Sequence, residues 1–131
     1  MQLLRVSTAL SALLFSTALF GADAPPGGVP LKSANGVLVN ASGMTVYTYD
    51  KDVAGSGKSS CVETCARNWP PVMAGSAALA EPWSAVTRED GSKQLAHRGK
   101  PLYTFIKDKK EGDKTGDGVG GAWHVVADPA R

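Results

Sequence analysis

The hydrophobic pattern of the chain alternates between short apolar runs and clusters of turn-forming residues. Residues 37–39 and 44–49 are rich in β-branched and aromatic side chains, and turn residues separate them at 40–43. The same rhythm returns in four later segments, residues 83–87, 93–97, 101–105 and 123–127. Runs of this length and composition are typical of antiparallel strands and hairpins. We therefore predict a mainly β fold.

One segment between these strands carries a helical signal. Ser60 and Glu63 have the spacing of a capping box, in which the serine oxygen accepts a hydrogen bond from the Glu63 amide and the carboxylate reaches back. A pair of prolines further along would end such a helix near Asn68. The pattern predicts one short helix near residues 60–68.

The strand pattern also contains an internal repeat. Residues 43–52 match residues 99–108 position by position. Each copy is followed by a stretch rich in glycine and lysine, and then by a tryptophan that opens an apolar run, at Trp69 and Trp123. Two such units can each bury one apolar face against the other, which neither can do alone.

The repeat predicts how the domain is organised. We expect two repeated units, over about residues 37–72 and 84–127, related by a pseudo-twofold axis. Together they would form a single β-rich domain over residues 31–131.

Residues 1–24 have the order of a secretory signal. One positive charge at Arg5 precedes an apolar run over residues 6–20, and small residues follow it. The run is shorter than the roughly 20 residues that a membrane-spanning helix needs. We predict a signal peptide over 1–24, a flexible leader over 25–30, and a mature chain without a membrane span.

The charge of the chain narrows the classes of partner. Fourteen basic and 12 acidic residues give a formal net charge of +2. So weak a field does not favour nucleic acid or an anionic membrane as partner. An envelope protein of unknown identity or a small ligand is the expected partner, and nucleic acid is not.

Two copies of a six-residue motif, Y-x-[FWY]-x-x-D, stand out in the repeats. The residues that define it are Tyr47, Tyr49, Asp52, Tyr103, Phe105 and Asp108. Two further blocks, over residues 61–71 and 120–126, accompany the motif in order. In these four blocks the chain resembles the bacterial predicted lipoproteins that this motif defines, also described as secreted repeats of unknown function. The resemblance implies an exported, β-containing repeat protein of the cell envelope and no established activity.

The chain departs from a lipoprotein at one position. Lipid attachment needs a cysteine directly after a short motif of leucine and small residues, and Ala22 stands at that place. Lipidation of the N-terminus is therefore not expected, and a soluble periplasmic or secreted form is favoured.

The motif residues have a structural and a functional interpretation. The aromatic residues of each motif lie two apart and share one face of a strand, which we interpret as a core face with the hydroxyl at its edge. The motif aspartates fall just past the strand ends, where a carboxylate can accept backbone amides and hold a turn. The alternative is a shared, symmetric ligand cleft lined by the duplicated tyrosines and aspartates.

Cys61 and Cys65 are interpreted first as a structural disulfide, because exported proteins mature in an oxidising compartment. In a regular helix their spacing would put the Cα atoms about 6 Å apart, near the upper end of what a disulfide spans. Either the helix starts after Cys61 or the bridge is strained. The alternative is a redox-active or metal-binding thiol pair, with Cys61 at a helix N-terminus and its pKa lowered there.

Two histidines offer a candidate metal site. His97 and His124 would come together if the repeats pair, and with Met44, Met73 or a cysteine they would form the soft site that copper prefers. In the simpler interpretation His97 is solvated beside a turn, and His124 alternates with buried valines on a strand. We expect no cofactor, with a metal ion as the alternative.

The glycine-rich loop over residues 112–118 offers a second candidate. Asp113 and Asp117 are carboxylates among glycines, which can wrap a calcium ion. The loop lacks the spacing of an EF-hand, and nearby lysines dilute its negative charge. A mobile surface loop is the favoured interpretation.

No arrangement of nucleophile and base is visible, so the chain is not assigned to an enzyme class. The function that the sequence favours is an exported, non-enzymatic binding or structural module. A periplasmic metal-binding or thiol-redox accessory protein and a calcium-binding surface module are the alternatives.

Overall fold

The structure is a computed structural model that describes residues 29–75 and 78–128. The predicted signal peptide over 1–24 and most of the predicted leader lie outside the described residues, as do the last three residues of the predicted domain. Within the part that is described, no helix is long and apolar enough to cross a membrane.

Antiparallel strands dominate the described residues. The strands are β1 (Leu31–Ala34), β2 (Val37–Asn40), β3 (Tyr47–Tyr49), β4 (Trp83–Thr87), β5 (Lys93–His97), β6 (Lys100–Pro101) and β7 (Trp123–Val125), with one short α-helix, α1 (Thr64–Asn68), and a 3₁₀ turn (Val119–Gly121). β1 pairs with β2, β3 pairs with β7, and β4, β5 and β6 form a three-stranded sheet. The predicted fold, mainly β with antiparallel hairpins and one short helix, is confirmed.

Two tight turns set the register of the hairpins. Asn35 and Gly36 join β1 to β2, and both have positive φ, 51° and 83°. Arg98 and Gly99 join β5 to β6 with φ of 50° and 78°. Two successive residues with positive φ match the right-handed twist of paired strands, which is why Asn-Gly is a strong hairpin signal. β1 was not among the strands predicted from the sequence, although this Asn-Gly pair marks its end.

The two repeats exchange their last segments. β3 of the first repeat pairs with β7 of the second, with Tyr49 opposite Trp123. In the mirrored arrangement, Tyr103 of the second repeat lies opposite Pro71 of the first, and the Thr104 amide donates to the carbonyl of Pro70 at 2.8 Å. The tryptophan-bearing segment of each repeat therefore completes the sheet of the other.

The pseudo-twofold axis passes between the two motif tyrosines. The amide of Tyr47 donates to the carbonyl of Tyr103 at 2.7 Å, and the amide of Tyr103 donates to the carbonyl of Tyr47 at 2.9 Å. Further along, the Val72 amide donates to the Leu102 carbonyl and the Val126 amide donates to the Val46 carbonyl. These backbone hydrogen bonds of one half thus have counterparts in the other half.

The core consists of two clusters to which both repeats contribute. The first is mainly aliphatic: Val29, Leu31, Leu38, Val46, Val72, Ala74, Trp83, Leu95, Leu102 and Val126. The second is mainly aromatic: Tyr47, Cys61, Trp69, Tyr103, Phe105 and Trp123. Burial of apolar surface that neither repeat covers by itself favours the paired state.

The helix is shorter than predicted, and the capping box is wrong. α1 begins at Thr64, and Glu63, which precedes it, has a φ of 56° and makes no side-chain capping bond. The Ser60 hydroxyl donates instead to the carbonyl of Lys51, and the Ser60 amide donates to Asp52. These contacts draw Ser60 away from the helix start. The helix ends at Asn68, as predicted.

Candidate functional site

The motif tyrosines and aspartates form two hydrogen-bonded pairs, and each pair joins the two repeats. Tyr47 donates its hydroxyl proton to Asp108 Oδ2 at 2.6 Å, and Tyr103 donates to Asp52 Oδ2 at 2.6 Å. All four residues are at most 5 % exposed. A hydrogen bond to a buried carboxylate is stronger than one between neutral groups, so these pairs link the repeats strongly.

The second oxygen of each aspartate holds the loop that follows it. Asp52 Oδ1 accepts the Ser60 amide at 2.6 Å. Asp108 Oδ1 accepts both the amide and the hydroxyl of Thr115, at 2.9 Å and 2.5 Å. A buried carboxylate needs such partners to offset its lost hydration. Each motif aspartate therefore connects a tyrosine of the other repeat to a loop of its own.

The tyrosine hydroxyls are protonated donors. Burial raises the pKa of Tyr47, and the hydrogen bond to Asp108 raises it further. Burial likewise raises the pKa of Tyr103, and its hydrogen bond to Asp52 adds to the rise. A phenol with a raised pKa does not serve as a base or a nucleophile near neutral pH.

Four aromatic rings stack in a ladder across the pseudo-twofold axis. The order is Tyr49, Trp123, Trp69 and Phe105, with centroid separations of 4.2, 3.7 and 3.9 Å and interplanar angles of at most 14°. The first repeat contributes Tyr49 and Trp69, and the second contributes Phe105 and Trp123. The two tryptophans meet at the centre, so the ladder joins the repeats in the same way as the tyrosine–aspartate pairs.

The motif tyrosines pack edge-on against the two tryptophans of the ladder. Tyr47 packs edge-on against Trp69 at 5.4 Å, and Tyr103 packs edge-on against Trp123 at 5.2 Å. Gly116 passes so close that a Cβ there would lie 2.8 Å from the Trp69 ring and 2.9 Å from Tyr47. Its amide donates to the Tyr47 hydroxyl at 3.2 Å. Each motif tyrosine thus contacts the aspartate and the loop of the other repeat, and each motif aspartate also contacts the loop that follows it.

Cys61 and Cys65 form a disulfide with a Cα–Cα separation of 5.1 Å. This separation lies within the range that a disulfide spans, because α1 starts after Cys61. Cys61 thus precedes α1, and both cysteines are joined in the disulfide. The Cys61 carbonyl accepts Arg88 Nη2 at 2.9 Å, and Arg88 Nη1 donates to the buried Gln94 at 2.7 Å. The disulfide loop is thereby held against the second repeat.

The two histidines lie on different sheets and have different surroundings. His124 lies on β7, its Nε2 is 2.8 Å from Asp50 Oδ2, and both side chains are about half exposed (48 % and 53 %). His97 packs against Trp83 with ring centroids 4.7 Å apart, and burial, followed by the charge of Arg98, lowers its pKa. Among the described residues, the buried Nε atoms of His97 and Trp83 have no hydrogen-bond partner. The side chain of His97 is thus partly buried against Trp83.

The two loop aspartates hold backbone amides. Asp113 Oδ2 accepts the amides of Lys109 and Lys110 at 2.8 Å and 3.2 Å. Asp117 Oδ1 accepts the amide of Val125 at 3.1 Å. Across residues 29–75 and 78–128, no three histidine, cysteine, aspartate or glutamate side chains lie close enough to hold a metal ion. The described structure thus gathers none of the candidate metal ligands into a site.

Comparison with known families agrees with this twofold architecture. A family model described as a secreted repeat of unknown function matches the chain twice, over residues 31–73 and 84–127. The chain belongs to this family. The first match includes β1, so each secreted repeat comprises a hairpin, the motif strand and the tryptophan segment. No curated protein and no solved structure matches the chain. Membership in the family of secreted repeats implies an exported protein.

Proposed function

We propose that this secreted repeat protein is a non-enzymatic binding or structural module of the cell envelope. A signal peptide over residues 1–24 would direct it to the periplasm or beyond, without lipidation at Ala22. In this proposal the two repeats form a rigid framework, and the loops that follow the motif strands contact the partner. Neither the motif nor a cofactor takes part in a reaction.

One observation carries the proposal. The duplicated residues that are most chemically capable, two tyrosines and two aspartates, are buried and bonded to one another between the repeats. Their carboxylate oxygens are fully engaged, and the tyrosines have raised pKa values. A reaction needs a nucleophile or base that the substrate can reach, and these buried groups do not meet that requirement. Their hydrogen bonds instead hold the two repeats together.

The differences between the repeats support the location of the binding surface. The first repeat carries a disulfide and a helix between its motif and its tryptophan, whereas the second carries a glycine-rich loop there. A shared framework with different loops is the common arrangement in binding modules, where function resides on loops that a rigid scaffold positions.

Native and denatured mass spectrometry of the protein purified from the periplasm, without added metal or chelator, tests this proposal. The expected result is a chain cleaved near residue 24, lighter by two hydrogens because of the disulfide, and free of metal. The Cys61→Ser/Cys65→Ser variant is the control, since it lacks the two-hydrogen difference. A stoichiometric metal adduct or free thiols in the wild-type protein would instead favour a metal-handling or thiol-redox protein.

A further inference from the structure

A surface groove lies between the two repeats and is lined in part by exposed apolar side chains. The groove has a volume of about 440 Å³ and lies between α1 and the turn that joins β4 to β5. Its apolar lining consists of Val62, Ala66, Pro71 and Met73. Val62 and Met73 are 36 % and 42 % exposed, although burial of such side chains is favourable. We call this surface the acidic groove, for the charges described next.

Carboxylates line the same groove. Glu63, Glu89 and Asp90 contribute three negative charges. The one basic residue in the lining, Arg88, directs its guanidinium to Gln94 and to the carbonyl of Cys61. An apolar surface that carries excess negative charge is complementary to an apolar side chain flanked by cations.

The same chain carries an exposed apolar side chain flanked by cations. Ile106 is 44 % exposed, and Lys107, Lys109 and Lys110 around it are exposed. Asp108, in the middle of these lysines, is turned inward to Tyr47 and is 5 % exposed. We call residues 106–110 the basic segment. Its outer surface offers one large apolar side chain beside three ammonium groups.

We infer that the acidic groove of one copy of this protein binds the basic segment of a second copy. Ile106 would enter the apolar part of the groove, and the lysines would pair with Glu63, Glu89 and Asp90. The inference deepens the proposed function and rests on it, since it names the partner of the module as another copy. Because the groove and the segment are different surfaces, copies join head to tail or, where each copy gives its segment to the groove of the other, as a twofold pair.

The size of the contact sets its strength. One apolar side chain and a few surface ion pairs form an interface below the roughly 1,200 Å² at which stable complexes begin, so the association is weak. Exposed ion pairs are screened by salt, and the Debye length falls from about 10 Å at 0.1 M ionic strength to about 3 Å at 1 M. Association should therefore be strongest at low ionic strength and weaken steeply as salt is added.

Analytical ultracentrifugation of the mature protein tests the inference. The weight-average mass should rise with protein concentration at low salt and return to that of the monomer at high salt. Two charge-reversal variants, Glu63→Lys/Glu89→Lys and Lys109→Glu/Lys110→Glu, should each weaken association at least ~10-fold because they place like charges at the contact. An equimolar mixture of the two variants should restore association, since each groove then meets a segment of opposite charge.

Matched controls separate this contact from general charge effects. Lys32→Glu/Lys51→Glu makes the same charge change at two exposed lysines that neither line the groove nor belong to the basic segment, and it should leave association unchanged. Ile106→Ser should weaken association, whereas Val53→Ser, at a side chain that is 67 % exposed, should not. Thermal unfolding of each variant verifies that it folds.

Three results would overturn the inference: a monomer at every concentration, association that survives both charge reversals, or a mixture that fails to restore it. If such a protein is nevertheless cleaved, disulfide-linked and free of metal by mass spectrometry, the proposed module stands and only self-association fails.

Discussion

The loops that follow the two motif aspartates differ in almost every structural respect, yet they make equivalent contacts with the motif aspartates and tyrosines. The first contains the disulfide and α1, and its Ser60 amide binds Asp52 while Ser59 Oγ lies 2.6 Å from the Tyr103 hydroxyl. The second is rich in glycine, and its Thr115 binds Asp108 while the Gly116 amide binds the Tyr47 hydroxyl. Each motif aspartate and each motif tyrosine hydroxyl thus has a hydrogen-bond partner in a loop. The two loops supply these partners from different local structures.

This comparison separates two kinds of residue. The duplicated tyrosines, aspartates and tryptophans lie where the repeats meet, and each contacts a residue of the other repeat. The disulfide, α1 and the 3₁₀ turn have no counterpart in the other repeat. Substitutions in the first class should affect both repeats equally, whereas those in the second should affect one loop.

The largest effect is expected at the centre of the aromatic ladder. Trp69→Ala and Trp123→Ala should each lower the free energy of unfolding by about 3–5 kcal/mol, because each leaves a large cavity between the repeats. Trp69 and Trp123 are 6 % and 5 % exposed, so we expect losses that agree within about 1 kcal/mol in urea denaturation. A loss confined to one of the two variants would show that the repeats are not energetically equivalent.

A smaller and unequal effect is expected at the paired glycines that begin the two matching segments, residues 43–52 and 99–108. Gly43 and Gly99 have φ of 82° and 78°, so alanine at either position costs about 1–2 kcal/mol in backbone strain. At Gly99 the new Cβ would also lie 2.4 Å from the backbone nitrogen of Gly55, whereas at Gly43 it meets only the flexible side chain of Glu111. Gly99→Ala should therefore cost at least ~1 kcal/mol more than Gly43→Ala. Equal midpoints in thermal unfolding would contradict this difference.

Removal of the disulfide tests the second kind of residue, which has no counterpart in the other repeat. Cys61→Ser/Cys65→Ser should lower stability by no more than about 2 kcal/mol, because so short a loop restricts the unfolded chain only slightly. Amide hydrogen exchange should increase in residues 53–68 and stay unchanged in the second loop. Exchange that rises in both loops would place the disulfide in the common framework instead.

The smallest effect is a pH dependence from His97. Burial and the charge of Arg98 lower the pKa of His97 below the ordinary 6.5. As the pH falls, His97 is therefore protonated more readily in the unfolded chain than in the folded chain. The stability that neutral His97 contributes is therefore fully present above about pH 6.5 and declines as the pH falls below that value. His97→Gln should flatten the fall in urea midpoint between about pH 7 and pH 5. An unchanged slope would assign that pH dependence to other groups, and His124→Gln is the matched control because His124 is exposed.

The strands and the repeat were predictable from the sequence because they depend on local composition and on self-similarity. β1 was missed because Leu31-Lys32-Ser33-Ala34 has a weak β pattern, and only the Asn35-Gly36 turn marks it. The capping box at Ser60 failed because a distant residue, Asp52, binds the Ser60 amide. Local rules do not detect such competition.

The exchange between the repeats lay beyond sequence reasoning for a related reason. Both motifs contain a tyrosine and an aspartate five residues apart, and nothing in one motif indicates that its tyrosine binds the aspartate of the other. Partner choice across a pseudo-twofold axis depends on the packing of the whole domain. The packing of His97 against Trp83 was not predicted for the same reason, since burial depends on neighbours that the chain brings from elsewhere.

Double-mutant cycles between the motif tyrosines and aspartates test the central claim most directly. With Tyr→Phe and Asp→Asn changes, the pairs Tyr103 with Asp52 and Tyr47 with Asp108 should each show a coupling free energy of about 1–3 kcal/mol. The pairs within one repeat, Tyr47 with Asp52 and Tyr103 with Asp108, should couple by less than about 0.5 kcal/mol. Strong coupling within the repeats and weak coupling between them would contradict the exchanged framework.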